Sequence, residues 1–290
     1  RFKSYPRNQI FFGQSMKTSL IIISSFLIIF FITINFNKLN FIYLSEGTEL
    51  QNMNVQGIEC IDDKVNIIDH GGEIFELIDS QLNLIGSLLR KDANTIKEKN
   101  SLVHSNSILL INKNMLVSNA LDKLPAKIAS IDYDTFIEKG YVTEDNYKNL
   151  NNNSDAMGIY LEKINFNDIE LIFSITKDFG HEYSYQFYDS NLSNIICSAN
   201  LEESNIQNVY WSRKTNILSI IKNPIKHRFG QINNYKMSEQ DNCFKFDLYN
   251  TSIILNAMEL QDFKRCGNSN YYTYTKDGDS YIFKKIISFN

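Results

Sequence analysis

Residues 55–287 repeat with a period near fifty, and this constrains the fold more than any other feature of the chain. Two kinds of hairpin alternate along the repeat. The first joins two apolar strands through a short polar turn and reads GIECIDDKVNIID (57–69), SILLINKNMLVSN (107–119), GIYLEKINFNDIELIFSI (158–175), NVYWSRKTNILSII (208–221) and YYTYTKDGDSYIFKK (271–285). Its turns centre near Asp63, Lys113, Phe166, Lys214 and Gly278, at intervals of 50, 53, 48 and 64. The second kind falls between these, as IFELIDSQLNLIGSLL (74–89), KIASIDYDTFIEKGYV (127–142), YSYQFYDSNLSNIICS (183–198) and FKFDLYNTSIILNAM (244–258). Asp79, Asp132 and Asp189 head three of its turns. Aspartate suits such positions because it tolerates left-handed geometry and bonds its own backbone.

Each pair of hairpins makes a four-stranded antiparallel meander, and repeated meanders of this length predict an all-β chain folded as a β-propeller. The length of the repeat allows five blades. The fifth unit contributes only one hairpin, so a closing strand is expected from Phe41–Leu44 or from Glu49–Val55, because a closed ring must hide its edges. Within the body little helix is expected: its best candidate, 91–98, reads as a polar loop or one short helical turn, 149–154 reads as a polar run between blades, and 259–270 reads as an irregular insertion that explains the interval of 64.

NVYWSRKTNILSII resembles the hairpin of TolB-like and WD-type propeller repeats, in which Trp-Ser precedes a tight turn and an apolar return strand. YYTYTKDGDSYIFKK is similar, with Asp277-Gly278 in the turn. Arg213-Lys214-Thr215 stands where the family has Pro-Asp-Gly. The resemblance concerns the scaffold, and it implies that Trp211 packs between blades.

Charge is distributed unevenly. No acidic residue precedes Glu46, while Arg1, Lys3, Arg7, Lys17 and Lys38 all lie before it. Removing those five from the 29 basic residues leaves 24 against 33 acidic ones in the body. So acidic a body repels phosphate backbones, and nucleic acid is not an expected partner. Within the basic segment, residues 20–36 read LIIISSFLIIFFITINF without a charge. As a helix this run would be about 26 Å long, close to the hydrocarbon thickness of a bilayer. It is apolar on every side, and bulky residues follow it where a cleaved signal would carry small ones. The expected organisation is a basic cytoplasmic N-terminus (1–18), a transmembrane signal anchor in the lipid bilayer (19–36), a linker or closing strand (37–54) and the propeller (55–290). The basic flank places the propeller outside the cytoplasm, with secretion after signal cleavage as the alternative.

Signatures of common chemistry are missing: the sequence has no G-x-S-x-G, P-loop, C-x-x-C or Rossmann glycine pattern. His70, His104, His181 and His227 fall in different repeats, so no metal site is expected, and no cofactor either. Asp69-His70-Gly71-Gly72-Glu73 reads as a glycine turn. Glu59 and Glu162 lie on first strands of their units, which line a propeller's axis, and form the one carboxylate pair that a glycoside hydrolase could use. Cys60, Cys197, Cys243 and Cys266 lie in or beside apolar strands. They could form disulfides outside the cytoplasm or remain buried thiols, with Cys243 and Cys266 the nearest pair in sequence. The expected function is therefore a binding or scaffolding module for an unknown protein or small molecule. An exported carbohydrate hydrolase using Glu59 and Glu162, or a structural subunit of an envelope complex, are the alternatives.

Overall fold

The computed structural model describes residues 38–45, 47–90, 102, 104–119, 125–152, 156–225, 229–240 and 243–286. The chain divides into two compact units, 1–40 and Phe41–Asn290. The span expected over 19–36 lies outside the described residues. Among the described residues, no helix is long and apolar enough to cross a membrane.

The second unit is a five-bladed propeller of antiparallel sheets. Two short strands come first, β1 (Leu39–Tyr43) and β2 (Thr48–Glu49). Blade 1 then follows as β3 (Val55–Ile61), β4 (Lys64–Asp69), β5 (Glu73–Ile78) and β6 (Gln81–Arg90). Blade 2 is β7 (Ser105–Ile111), β8 (Asn114–Asn119), β9 (Lys127–Asp132) and the outer strand β11 (Tyr147–Asn152); between β9 and β11 lie a helix α1 (Tyr133–Lys139) and the short β10 (Tyr141–Val142), which pairs in parallel with β6 of blade 1. Blade 3 is β12 (Ala156–Phe166), β13 (Ile169–Asp178), β14 (Tyr183–Asp189) and β15 (Ile195–Leu201). Blade 4 is β16 (Ile206–Ser212), β17 (Ile217–Ile225), β18 (Phe229–Gln240) and β19 (Cys243–Leu255). Blade 5 is β20 (Glu259–Cys266), β21 (Ser269–Lys276) and β22 (Asp279–Ile286), and β2 returns as its outer strand.

Apolar burial between blades holds the ring together, since each sheet buries two faces against its neighbours. Five apolar clusters correspond to the five blade interfaces. Phe136 and Leu88 lie in the cluster between blades 1 and 2, and Leu109 and Ile172 in that between blades 2 and 3. Phe173 and Trp211 belong to the cluster between blades 3 and 4, Leu260 and Ile232 to that between blades 4 and 5, and Tyr271 and Ile58 to the closing interface. Trp211 is thus an inter-blade residue. Aspartate- and asparagine-rich two-residue turns connect the strands. Asp62-Asp63, Asp79-Ser80, Asn167-Asp168 and Asp277-Gly278 all have positive φ at both positions, the geometry whose twist matches antiparallel strands.

Four sequence expectations are corrected. Residues 259–266 form the innermost strand of blade 5 and 271–285 its next hairpin, so the first-hairpin turn of this blade is at Gly267, 53 residues after Lys214. Cys243–Leu255 is one strand paired along its length with β18, which had no place in the expected pattern. Asn149–Asn152 belong to β11. The helix falls at 133–139, while 91–98 lies outside the described residues. Asp132 here caps a helix instead of turning a hairpin, accepting the Thr135 N–H at 2.8 Å, and Gly140 ends the helix at φ 73°. The closing strand is β2, paired to β22. Leu44 bonds blade 4 instead, donating its N–H to Leu255 O at 3.1 Å.

The helix lies against β6 where there is no room for a side chain. A Cβ on Gly86 would be 2.8 Å from Phe136 Cζ and 2.9 Å from Gly140 O. Gly86→Ala is expected to lower stability by about 1–3 kcal/mol, read as a lower urea midpoint with an unchanged slope.

Candidate functional site

The five innermost strands, β3, β7, β12, β16 and β20, surround the axis. Four residues before the end of each stands Gly57, Ser107, Glu162, Asn208 or Asp262. These residues meet one another. Ser107 Oγ donates to Asn208 Oδ1 at 3.3 Å, and Asn208 Nδ2 donates to Asn106 O at 2.8 Å. Asp262 Oδ2 accepts the Ile58 N–H at 2.8 Å across the seam between blades 5 and 1. Glu162, Asn208 and Asp262 also accept the N–H of the next residue, at 3.2, 2.8 and 2.7 Å. A register slip precedes the axial residue in β3, β7, β16 and β20, and falls earlier in the longer β12. Such bulges re-aim the side chain that follows. Gly57 leaves the space that Asp262 and Asn208 use, for a Cβ there would lie 3.5 and 3.6 Å from their side chains.

Two residues further along each strand stand Glu59, Leu109, Ile164, Tyr210 and Lys264. Lys264 Nζ lies 2.5 Å from Glu162 Oε2 and 3.3 Å from Glu59 Oε2, and 5.6 Å from the centre of the Tyr210 ring. Glu59 and Glu162 therefore do come together, as the strand positions imply, but the space between them holds an ammonium group. Glu59 also lines a void of about 10 Å³ under Tyr133 and Phe136, at the lower limit for one water molecule. A sugar ring has no place between these carboxylates.

Three carboxylates and one ammonium share this buried axis. Burial pushes the Asp262 carboxyl up to about 8, against the pull of Lys264 and the N–H donors of Ile58 and Phe263. Glu162 rises to about 7, through burial and the nearby Glu59, although Lys264 favours its ionised form. Glu59 is raised by burial against the same lysine. Burial disfavours the charge on Lys264, but Glu162, Glu59 and Asp262 outweigh it and hold the ammonium above its usual range. The cluster is a neutralised lock, in which each acid bonds the inner strand of another blade. The hydrolase arrangement needs two carboxylates free to face a substrate, and here both face Lys264.

The other motifs are turns. Asp69 Oδ1 accepts the Glu73 N–H at 2.9 Å with Gly72 at φ 85°, so the glycine stretch folds on its own carboxylate. His181 sits at φ 67° in a turn capped by Asp178. His70 and His104 meet edge to face, 4.1 Å between ring centres, whereas His227 lies outside the described residues. Among the described residues no group of three ligand side chains could hold a metal ion. The expected cysteine pairing is corrected as well. Cys60 bonds Cys266 and Cys197 bonds Cys243. Once 259–266 is the inner strand of blade 5, Cys60 and Cys266 become facing residues of the closing interface.

The larger concave surface lies at the rim, between the outer strands of blades 3 and 4. This cleft has a volume of about 510 Å³, in the range of small-ligand sites. Ser198 to Glu203 form one wall, and Tyr235, Phe244, Phe246 and Leu248 the other. The aromatic wall is fixed from behind. Phe246 packs 5.6 Å from Phe173 and 5.1 Å from Tyr185, and Tyr185 Oη donates to Phe244 O at 2.9 Å. Glu203 closes one end, bonded by Lys222 and Tyr235 and by Asn233 Nδ2 at 2.7 Å. Burial opposes its charge, but those three donors outweigh the burial and hold its carboxyl below the usual range.

The sequence matches no family model and no curated protein. Solved structures do share its architecture. A GH43 β-xylosidase/α-arabinofuranosidase from a compost microbial metagenome is 6% identical, with a TM-score of 0.51 over 85% of this chain and 95% of that one. An oxidoreductase of the glucose dehydrogenase type from Thermus thermophilus is 7% identical, with a TM-score of 0.47 over 82% and 98%. The AfRom2 CNH domain is 9% identical, with a TM-score of 0.47 over 85% and 99%. At such identities the likeness concerns the fold alone.

Proposed function

We propose that this chain is a membrane-anchored, extracytoplasmic binding module that engages its partner at the rim cleft between blades 3 and 4. One observation carries the reading: both axial glutamates are spent on Lys264, while the aromatic cleft remains open to solvent. Exposed apolar residues on the outer strands of the same two blades, Ile195, Ile196, Leu248 and Tyr249, favour a protein partner. The apolar run at 20–36, with its basic flank, supports the anchor and the orientation. Two disulfides and no free cysteine among the described residues fit an oxidising compartment.

A photo-crosslinking residue in place of Leu248, in the cells that make the protein, tests this reading. A discrete crosslinked species is expected from that position, and none from the same residue in place of Ile286, which is 73% exposed on blade 5. Hydrolysis of an aryl glycoside, abolished by Glu162→Gln in a variant that remains folded, would overturn it in favour of the hydrolase.

A further inference from the structure

An edge strand offers unpaired N–H and C=O groups, and proteins protect such edges with charge, proline, shortness or a covering segment. Among the described residues, three of the five outer edges are protected in this way. Blade 1 ends in β10 and blade 5 in β2, each two residues long. In blade 2, β11 carries Lys148 and a register slip in mid-strand. Blade 4 ends in β1, LNFIY, which has neither charge nor proline but lines no part of the rim cleft. In blade 3 an unprotected edge and the cleft coincide. Its outer strand β15, IICSANL, has no charge and no proline, and its single slip falls at Ile196, leaving Cys197–Leu201 in regular register. Ile195, Ile196, Ser198, Ala199 and Asn200 are exposed.

The same strand forms one wall of the rim cleft. Any strand laid along β15 would turn alternate side chains toward opposite faces. One set would enter the cleft against Phe244, Phe246 and Leu248, where Ala199, on the same face of β15 as Cys197 and Leu201, leaves it room. The exposed Glu202, just past the end of β15, would meet that strand's terminus and favours a basic residue there. The molecule already makes this kind of bond twice, with β1 on blade 4 and β10 on blade 1.

We infer that β15 is a docking edge for an extended segment of a partner protein, which adds to blade 3 as a fifth strand and seats an apolar side chain in the aromatic cleft. This rests on the binding-module reading and names its partner class. Main-chain hydrogen bonds would supply affinity, and the cleft would select the side chain.

The test uses the full chain and a phage-displayed library of random peptides about twelve residues long. Selected peptides are expected to alternate apolar and polar residues. N-methylation of alternate residues in one phase should abolish binding, and in the other phase leave it unchanged, because only one set of N–H groups faces β15. Ala199→Trp, which fills the cleft from an exposed position, and Leu248→Glu should each weaken binding by about tenfold or more. Peptides that bind without regard to the N-methylation phase would overturn strand addition but leave a binding module in place. Failure to select any peptide would overturn the inference as well, while the crosslink at Leu248 decides the broader reading separately.

Discussion

Replacing Lys264 by methionine should destabilise the propeller by about 3–5 kcal/mol, the usual result of leaving buried charge without its partner. The substitution preserves most of the volume, so packing contributes little. What it removes is the cation between Glu59 and Glu162 and near Asp262, from a site where the Lys264 side chain is 4% exposed. A stability of about 5–15 kcal/mol is usual for a domain, so the variant should lose a large part of it. The cause can be separated from packing. Adding Glu162→Gln and Asp262→Asn to Lys264→Met should restore most of the loss, since amides at these positions need no counter-charge. A triple variant no more stable than the single one, by urea unfolding, would show that the lysine acts through shape.

The same cluster sets a pH dependence with a definite sign. Asp262 and Glu162 are raised to about 8 and about 7 in the folded chain, and Glu59 is raised as well. In the unfolded chain they titrate near 4. Between these limits the folded state holds more protons than the unfolded state, so stability falls as pH rises from about 4 to about 8. Glu203 acts in the opposite sense. Its lowered pKa contributes stability above its unfolded value that is lost as pH falls through the folded one. Thermal unfolding should therefore show its highest midpoint on the acid side of neutrality. Asp262→Asn should flatten the decline toward pH 8 and leave the acid limb unchanged.

Much of this architecture was legible because antiparallel meanders leave a regular trace of apolar runs and Asp-rich turns. Blade 3 followed that trace at every strand. Where the trace failed, a competing structure used the same residue types. Asp132 heads a turn in the pattern but caps a helix in the fold, because Thr135 supplies an N–H at the right spacing. FKFDLYNTSIILNAM looks like a hairpin, since Tyr249-Asn250 reads as a turn. The register with β18 slips there instead, and Tyr249 is the extra residue. The axial lock was half visible. Glu59 and Glu162 are visible from their place on first strands, but Asp262 and Lys264 stay hidden while ELQDFKRC reads as an insertion. Counting four residues back from each inner turn would have found the ring, because that position is Gly57, Ser107, Glu162, Asn208 and Asp262 in turn. The rim cleft left no such signal, because its walls meet only when blades 3 and 4 stack.

Removing the Cys60–Cys266 bond, as the double alanine variant, should lower stability by about 5 kcal/mol from the chain entropy of a closed loop of this length. The two cysteines are 206 residues apart in sequence, on the innermost strands of blades 1 and 5, so the bond ties the two ends of the ring together. The Cys197–Cys243 bond encloses 46 residues and joins neighbouring blades at the rim. Its removal should cost about 4 kcal/mol by the same reasoning. A second difference follows from topology. Without the first bond, the closing interface depends on the Tyr271–Ile58 cluster, the Asp262 bond to Ile58 and the two residues of β2. Local opening should then begin at this seam. In native-state hydrogen exchange, the amides of β3 and β22 should lose protection first in the Cys60→Ala, Cys266→Ala variant, with blade 3 unaffected. In the Cys197→Ala, Cys243→Ala variant, the fast amides should lie in β15 and β19 instead. Equal and uniform loss of protection in both variants would mean that the ring unfolds only as a whole, and that neither bond guards a particular seam.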